Sequence, residues 1–288
     1  MNRNVNQKGI LQIAGMIKNI YKEEIHSKRV WMGYLLGGAI VAYLARNFIL
    51  YIQDTGEVVN VLEGFILIEH ERKYLLLLLL GWLVIISDAP FIRGNAYYSL
   101  YRTNKNRWNI SMLLYILSHG LLYVLSMAGI TVVISSFWGY IGKIWSSPVY
   151  ALVKGGGQDL TSKYMVSFRY EEMMREMTVP QAFGTTCLYL YLYLILLGVL
   201  LYVCNLILKE VYGIAIVMAV HISGYLLGEW QMIEQSLLAR AIPGNFIGGM
   251  ENDWSSVYIF LGLVLMLFVC SMWMIHQVDI KEETEEEV

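Results

Sequence analysis

A series of long apolar runs separated by polar segments constrains this chain more than any other feature of its sequence. An α-helix needs about 20 apolar residues to cross the hydrocarbon core of a bilayer, and several runs approach that length. Only 15% of the residues are charged and 57% are hydrophobic, unlike the balance of a soluble domain. Backbone polar groups inside a bilayer need internal partners, so such runs form helices. The sequence therefore predicts an all-α membrane protein.

The apolar runs predict six membrane-spanning helices. They cover approximately residues 31–51, 74–86, 109–134, 185–208, 211–227 and 255–275. The second run is the shortest, and flanking residues would extend it. Short segments rich in Lys and Arg stay on the cytoplasmic side, and these residues concentrate before the first run and between the second and third. We therefore expect cytoplasmic N- and C-termini.

The two ends of the chain have their own patterns. In the N-terminal segment, residues 1–30, apolar side chains recur at helical spacing while most basic side chains lie off their stripe. The stripe consists of Ile10, Ile13, Ala14, Ile17 and Tyr21. It predicts an amphipathic surface helix whose basic residues face anionic lipids, without the continuous apolar stretch of a cleavable signal peptide. The acidic tail, residues 277–288, is expected to be disordered.

Three segments are expected on the outer side of the membrane, and the first is a loop over residues 53–73. Residues 135–184 are too many for a hairpin turn, and a helical stripe near their end predicts an amphipathic helix that Pro180 terminates. The stripe consists of Val166, Tyr170, Met173, Met174 and Met177. Residues 230–254 contain a helical stretch, 231–241, followed by Pro243. We predict that this segment re-enters the outer leaflet before the last span, covered by other parts of the protein.

The segment between the second and third spans, residues 87–109, is both aromatic and basic. Asn95 is suited to cap a short helix over residues 96–105. On that helix we expect an apolar face with basic side chains beside it: Tyr97, Leu100 and Tyr101, then Arg102, Lys105 and Arg107. One hypothesis is that this helix docks a soluble partner. The alternative is a solvated basic loop that only sets the topology.

Motifs that carry chemistry are few. The GxxxxGK[ST] order of a phosphate-binding loop is missing, so we do not expect this chain to hydrolyse nucleotides. The three cysteines all lie inside predicted spans and lack the close spacing of a zinc site. We expect no bound metal, no cofactor in this chain and no nucleic-acid partner. The acidic pair and arginine within residues 171–175 are similar to a motif of CAAX-type intramembrane proteases, but the histidine motifs of that family do not accompany them.

Four ionisable residues lie within or at the ends of the predicted spans, namely His119, His221, Asp88 and Glu229. Such residues often mark a polar pathway through a membrane protein. The alternatives are hydrogen-bonded packing for the histidines and helix-end positions for the carboxylates. Because Asp88 is predicted at an inner end and Glu229 at an outer end, we do not expect all four to meet.

The arrangement of these features resembles the membrane subunit of an ABC-2-type transporter. Such a subunit has a surface helix before span 1, a cytoplasmic helix between spans 2 and 3, a tight turn between spans 4 and 5 and an outer re-entrant segment before span 6. The phrases SDAPF and YxLxRTxxxxW, at residues 87–91 and 98–108, also resemble a group of Firmicutes membrane proteins thought to be ABC permeases. The long segment 135–184 departs from the short link that is usual there.

The resemblance implies that residues 96–105 form a coupling helix that docks into a cytoplasmic ATPase. Tyr97, Leu100 and Tyr101 would pack against the ATPase, and Arg102, Lys105 and Arg107 would orient it. ATP and Mg²⁺ would bind to that partner, and a second permease copy or paralogue would complete a path through the bacterial cell membrane for an exported amphiphile, peptide or lipid. Two alternatives stay open: a membrane-embedded enzyme that uses the four ionisable residues, and a sensor whose segment 135–184 binds an external ligand.

Overall fold

A computed structural model describes residues 2–90, 104–155, 162–208, 210–247 and 254–277. Helices dominate this part of the chain. The elements before its midpoint are α1 (Asn2–Glu24), α2 (Lys28–Thr55), β1 (Val59–Asn60), α3 (Glu63–Glu69), α4 (Arg72–Ile86), α5 (Lys105–Ser135) and β2 (Gly139–Tyr140). The elements that follow are α6 (Ser147–Val153), α7 (Glu171–Glu176), α8 (Val179–Ile207), α9 (Glu210–Glu229), α10 (Leu237–Arg240) and α11 (Ser255–Met274), with short 3₁₀ turns at Ile233–Gln235 and Pro243–Asn245.

Five of the described helices are long and apolar enough to cross a membrane. They are α2, α5, α8, α9 from Tyr212 onward, and α11, and they coincide with five of the six predicted spans. The chain is therefore a helical membrane protein, as its composition predicts. Helix α8 is the central one: 72% of its most apolar window is buried, against 22% for α11.

The long helices share two recognisable ends. At the first, which we call the α1 end, the Asn205 side chain of α8 donates a hydrogen bond to the Ala89 carbonyl just after α4, at 2.6 Å. There the Tyr202 hydroxyl also donates to Asn109 near the start of α5. At the opposite end, Arg72 at the start of α4 pairs with Glu229 at the end of α9. Helices α2 and α5 thus begin at the α1 end, whereas α4 and α8 finish there.

Helix α1 packs lengthwise against the first half of α5. The Arg107 guanidinium donates to the Gln12 side chain at 2.5 Å, and the Tyr21 and Ser118 hydroxyls are 2.7 Å apart, so the contacts advance together along both helices. Ile10 of the predicted stripe is 67% exposed and does not pack on α5. The buried face is rotated toward Met16 and Ile20, since the α5 surface, and not a lipid surface alone, selects the residues that pack.

Glycines allow α2 and α4 to approach closely. A Cβ atom added to Gly33 would lie 2.6 Å from the Gly81 carbonyl oxygen, and one added to Gly81 would lie 2.7 Å from the Gly33 carbonyl. Both obstacles are backbone atoms that cannot rotate away. Small residues at such crossings are the usual means of tight helix packing in membranes.

The end opposite α1 carries a folded cap, which we define as residues 56–71, 136–155 and 162–178. Strands β1 and β2 pair in parallel, with Val59 opposite Gly139. A separate hydrophobic core lies beneath them, and its largest buried members include Phe48, Tyr51, Ile52, Ile66, Phe168 and Met173. Residues 136–155 and 162–178 are therefore not a loose loop but half of a compact layer on top of the bundle.

Three sequence predictions fail in the cap and beside it. The expected external loop 53–73 contains the fully buried helix α3. The amphipathic helix expected along the stripe from Val166 to Met177 is reduced to the six residues of α7, because Val166 and Phe168 reach the cap core from non-helical backbone. Pro180 does not end that helix but lies in the first turn of α8, where its missing N–H costs nothing. Similarly, stretch 231–241 forms a 3₁₀ turn and the four-residue α10.

Candidate functional site

The predicted coupling helix lies almost wholly outside the described residues. Tyr97, Leu100, Tyr101 and Arg102 belong to segment 91–103, whereas Lys105 and Arg107 are described. Lys105 is the first residue of α5, which Asn104 caps by accepting from the Asn106 N–H at 3.0 Å. Lys105 therefore begins a long helix and does not end a short one.

The residues that precede segment 91–103 are bonded to helices on two sides. The Asp88 carboxylate forms an ion pair with the Arg29 guanidinium at 2.7 Å, and that guanidinium also pairs with Glu24 at 2.6 Å. Arg29 lies at the start of α2 and Glu24 at the end of α1. On the other side, the Ala89 carbonyl accepts from Asn205 of α8. The entry to the segment is thus attached to three helices of the bundle.

The residues that follow segment 91–103 are also bonded to several helices. Arg107 donates to Gln12 of α1. Asn109 is fully buried, accepts from the Tyr202 hydroxyl at 2.6 Å and donates to the Ser271 hydroxyl of α11 at 3.1 Å. Sequence reasoning missed Arg29 and Asn109, since Asp88, Tyr202 and Ser271, with which they bond, lie far away in the chain.

His119 lies at the back of an apolar cavity of about 380 Å³ between α1, α2 and α5. Its ring stacks on Tyr21 and Tyr34 at centroid distances of 5.7 Å and meets Tyr115 edge-on at 5.1 Å. Neither ring nitrogen has a hydrogen-bond partner. His119 therefore belongs to an aromatic cluster.

His221 is buried and hydrogen-bonded to two neighbouring helices. Its Nε2 lies 3.1 Å from the Leu76 carbonyl, so it is the donor there, and its Nδ1 then accepts from the Tyr193 hydroxyl at 3.0 Å. Both nitrogens of this buried ring have hydrogen-bond partners, and they join α9 to α4 and α8.

The four ionisable residues do not form one site. Asp88 lies at the α1 end beside Arg29, whereas Glu229 pairs with Arg72 at the cap end. A catalytic centre that combined both carboxylates would have to span the bundle. Among the described residues, no group of three or more His, Cys, Asp or Glu side chains is placed to hold a metal ion.

A polar cluster that sequence reasoning missed lies where α3 meets α4. Glu69 and His70 are almost fully buried, at 2% and 4% exposure. Burial raises the pKa of Glu69 to about 8 and lowers the pKa of His70 to about 4, because both groups are more easily desolvated when neutral. The run FILIEH, an acid and a histidine directly after four apolar residues, was the available signal.

Glu63, at the start of α3, holds the two halves of the cap together. Its carboxylate accepts from the backbone N–H of Asn60 at 3.1 Å and from the backbone N–H and hydroxyl of Ser146, both at 2.6 Å. Burial raises its pKa to about 7, and the hydrogen bonds from Ser146 and Asn60 oppose that rise.

Together, the apolar helices, the attached segment at the α1 end and the cap define a polytopic helical membrane protein. Comparison of this chain with protein-family models, curated proteins and solved structures finds no match.

Proposed function

We propose that this chain is the membrane-spanning permease subunit of an ABC-2-like transporter in a bacterial cell membrane. A separate cytoplasmic ATPase binds ATP and Mg²⁺ and supplies the energy, and a second permease copy or paralogue completes the transport path. In this proposal α4 is the sixth crossing helix, the α1 end and both termini face the cytoplasm, and residues 230–254 form the outer re-entrant segment. The cargo is an exported amphiphile, peptide or lipid.

The observation that carries this proposal is the attachment of both ends of segment 91–103. Its entry is bonded to α1, α2 and α8 through Asp88 and Ala89, and its exit to α1, α8 and α11 through Arg107 and Asn109. A force applied to the segment by a partner would therefore reach four helices at once. Transport driven by another subunit requires such a mechanical connection, because a ligand or partner shifts a conformation only through differential contacts.

Capture of the ATPase tests the proposal directly. We expect the detergent-solubilised protein to recover a P-loop ATPase from its native cells, and the Tyr97→Ala, Tyr101→Ala double variant to lose it, because buried aromatic anchors dominate such contacts. The matched control is Tyr150→Ala, Tyr258→Ala, which removes two exposed tyrosines outside the segment.

The outcomes separate the class of protein from the docking site. If the wild type and both double variants captured an ATPase, the transporter class would stand, but the docking surface would lie outside segment 91–103. Capture of no ATPase by the wild type, under conditions that preserve known permease complexes, would overturn the proposal.

A further inference from the structure

The apolar cavity in front of His119 lies at the break between α1 and α2. Helix α1 packs on α5 as far as Ser118, to whose hydroxyl the Tyr21 hydroxyl is bonded. Helix α2 begins after a turn and packs on α5 farther along, where the rings of Tyr34 and Tyr123 lie 5.7 Å apart. The space between these two contacts is the cavity of about 380 Å³, which both helices and α5 line.

Most polar groups around this cavity are already bonded within the protein. The Glu24 carboxylate pairs with Arg29 at 2.6 Å. The Ser126 hydroxyl donates to the Leu122 carbonyl of its own helix at 2.7 Å. The ring nitrogens of His119 are themselves buried, so this ring presents carbon atoms to the cavity. A ligand would therefore meet walls of hydrocarbon and aromatic rings.

The cavity opens toward the lipid-facing surface of the bundle. Three of the apolar side chains that line it are also exposed, namely Ile25, Trp31 and Leu122. Leu35 on α2 and Leu125 on α5 extend this surface, at 69% and 56% exposure. Helices α2 and α5 are long and apolar enough to cross a membrane, and the part of α5 that lines the cavity lies near the middle of that helix. At this depth the medium outside the opening consists of lipid acyl chains.

These walls favour hydrocarbon over water as the occupant. A buried water needs about two to four polar partners, and the polar groups here are mostly bonded already. An empty space would leave the lining side chains without contact atoms on one side. Because a methylene group takes about the same 30 Å³ that a water molecule takes in the liquid, the cavity holds roughly a dozen methylenes. This is most of one acyl chain and too little for a second.

Trp31 forms a fixed edge of the opening. Its indole Nε1 donates to the Ile25 carbonyl at 2.8 Å, which joins the turn after α1 to the first turn of α2. Tryptophan is enriched in membrane proteins at the level of the lipid headgroups. A lipid that inserts a chain past this indole can therefore keep its headgroup at the membrane surface.

We propose that this cavity binds one acyl chain of a bilayer phospholipid, which enters sideways between the α1–α2 turn and α5. The chain packs against the rings of Tyr21, Tyr34 and His119, and its headgroup stays at the level of Trp31. The bound chain thus fills the break between α1 and α2 in place of protein side chains. This chain alone forms the site, so the proposal does not depend on whether an ATPase docks elsewhere on the molecule.

Photolabelling from the bilayer tests the proposal. The full chain is reconstituted into vesicles of phosphatidylethanolamine and phosphatidylglycerol with a trace of phosphatidylglycerol that carries a mid-chain diazirine, and labelled residues are identified by mass spectrometry. Like residues of similar exposure are compared. Leu122 at the cavity is 47% exposed and Leu261 on α11 is 45% exposed, while Trp31 and Trp273 are 58% and 65% exposed. We expect severalfold more label on the cavity member of each pair, because a bound chain stays beside it.

Variants that fill the cavity locate the site. Ser126→Phe adds a ring from the α5 wall, and Ile25→Trp narrows the opening at an exposed position. Both should reduce the labelling of Leu122 to the level of Leu261. The matched control is Leu125→Phe, which adds a ring to the exposed face of α5 outside the cavity and should leave the labelling of Leu122 unchanged. Because Ile25 is exposed, its variant keeps the test decisive if Ser126→Phe does not fold.

Native mass spectrometry of the purified chain identifies the occupant. We expect one retained phospholipid, which the cavity-filling variants lose. Equal labelling within both matched pairs would mean contact with bulk lipid only and would overturn the proposal, as would unchanged labelling in the cavity-filling variants that fold. Retention of an apolar molecule that is not a phospholipid, without labelling of the cavity residues, would assign the cavity to that molecule instead.

Discussion

Glu69 shows how a single buried carboxyl links the stability of this protein to pH. It is 2% exposed, and its Oε1 atom has no hydrogen-bond partner. Burial raises its pKa from 4.5 to about 8, so the group is protonated in the folded protein at neutral pH. A carboxyl whose pKa is raised on folding stabilises the folded state below its ordinary pKa, and this contribution is lost as the pH rises through about 8.

We therefore predict that Glu69→Gln, which resembles the protonated carboxyl, changes the pH dependence of unfolding. The variant should melt at nearly the wild-type temperature near pH 5 and above it near pH 9, because only the wild type must then bury a charge or release it. Thermal unfolding in detergent, followed by tryptophan fluorescence over this range, measures the difference.

Two further residues define the control for this experiment. His70 acts in the opposite sense: its pKa is lowered to about 4, so its contribution is present above its ordinary pKa of 6.5 and is lost as the pH falls through about 4. Its effect is the same in the wild type and in Glu69→Gln and cancels in the comparison. Glu171→Gln, at an exposed carboxyl, should show no pH-dependent gain; a gain equal to that of Glu69→Gln would contradict the assignment.

At the scale of elements, the contact between α2 and α4 depends on two glycines. A methyl group on Gly33 would meet the Gly81 carbonyl at 2.6 Å. We predict that Gly33→Ala and Gly81→Ala each destabilise the protein by about 1–3 kcal/mol, the usual cost of overpacking, as measured by SDS-induced unfolding in mixed micelles.

The matched controls for the glycine variants are Gly129→Ala in α5 and Gly262→Ala in α11, where an added Cβ meets nothing within 4 Å. There the better helix propensity of Ala should leave stability unchanged or raise it slightly. If all four variants behaved alike, helix propensity and not the α2–α4 contact would determine the effect.

The cap depends in a similar way on one carboxylate. Glu63 joins the chain before α3 to the start of α6 through three hydrogen bonds. We predict that Glu63→Ala loosens the cap and speeds tryptic cleavage at Lys143 and Lys163. Glu63→Gln keeps one acceptor oxygen, so its cleavage rate should lie between those of Glu63→Ala and the wild type. Glu57→Ala, at an exposed position, should be cleaved like the wild type, and unchanged cleavage of Glu63→Ala would show that the cap core suffices.

At the scale of the whole molecule, Arg29 connects the end of α1, the start of α2 and the entry to segment 91–103. If the chain is an ABC-2-like permease, Arg29→Gln should retain capture of the ATPase but lose transport, while ATP hydrolysis continues. Removal of the cation also leaves two mostly buried carboxylates without it, so some loss of stability is expected. ATPase activity and export measured in the same vesicles distinguish uncoupling from loss of the complex.

The control for Arg29→Gln is a variant that breaks an ion pair at the opposite end of the bundle. Arg72→Gln breaks the pair with Glu229 and should leave coupling intact at matched protein levels. Loss of transport in both variants to the same degree would mean that stability, and not the attachment of segment 91–103, limits export.

The long helices could be predicted because their cause is local. Each apolar run of α5, α8 and α11 satisfies its own backbone hydrogen bonds within one stretch of chain, and the bilayer requires this whatever the neighbours are. The starts were less certain: α8 begins at Val179, six residues before the predicted span, since Thr178 and Gln181 form a capping box and Pro180 suits the first turn.

The cap and the small polar cavity at the junction of α3 and α4 could not be predicted, because their residues meet only through the fold. Glu63 is hydrogen-bonded to Ser146, which is 83 positions away in the chain. The cavity is lined by residues 70–72, residues 167–170 and Glu229. The stripe of Val166, Tyr170 and Met173 was misassigned to one helix, because a spacing of apolar residues predicts burial more reliably than it predicts the backbone conformation that achieves it.

The long apolar helices of a membrane protein follow from the sequence alone, because the length and continuity of an apolar run do not depend on distant residues. The fold is needed to establish which polar groups are paired, which are buried without a partner and which line a common cavity. Those properties depend on distances between residues far apart in the chain, and such distances are set by the packing of one helix against another.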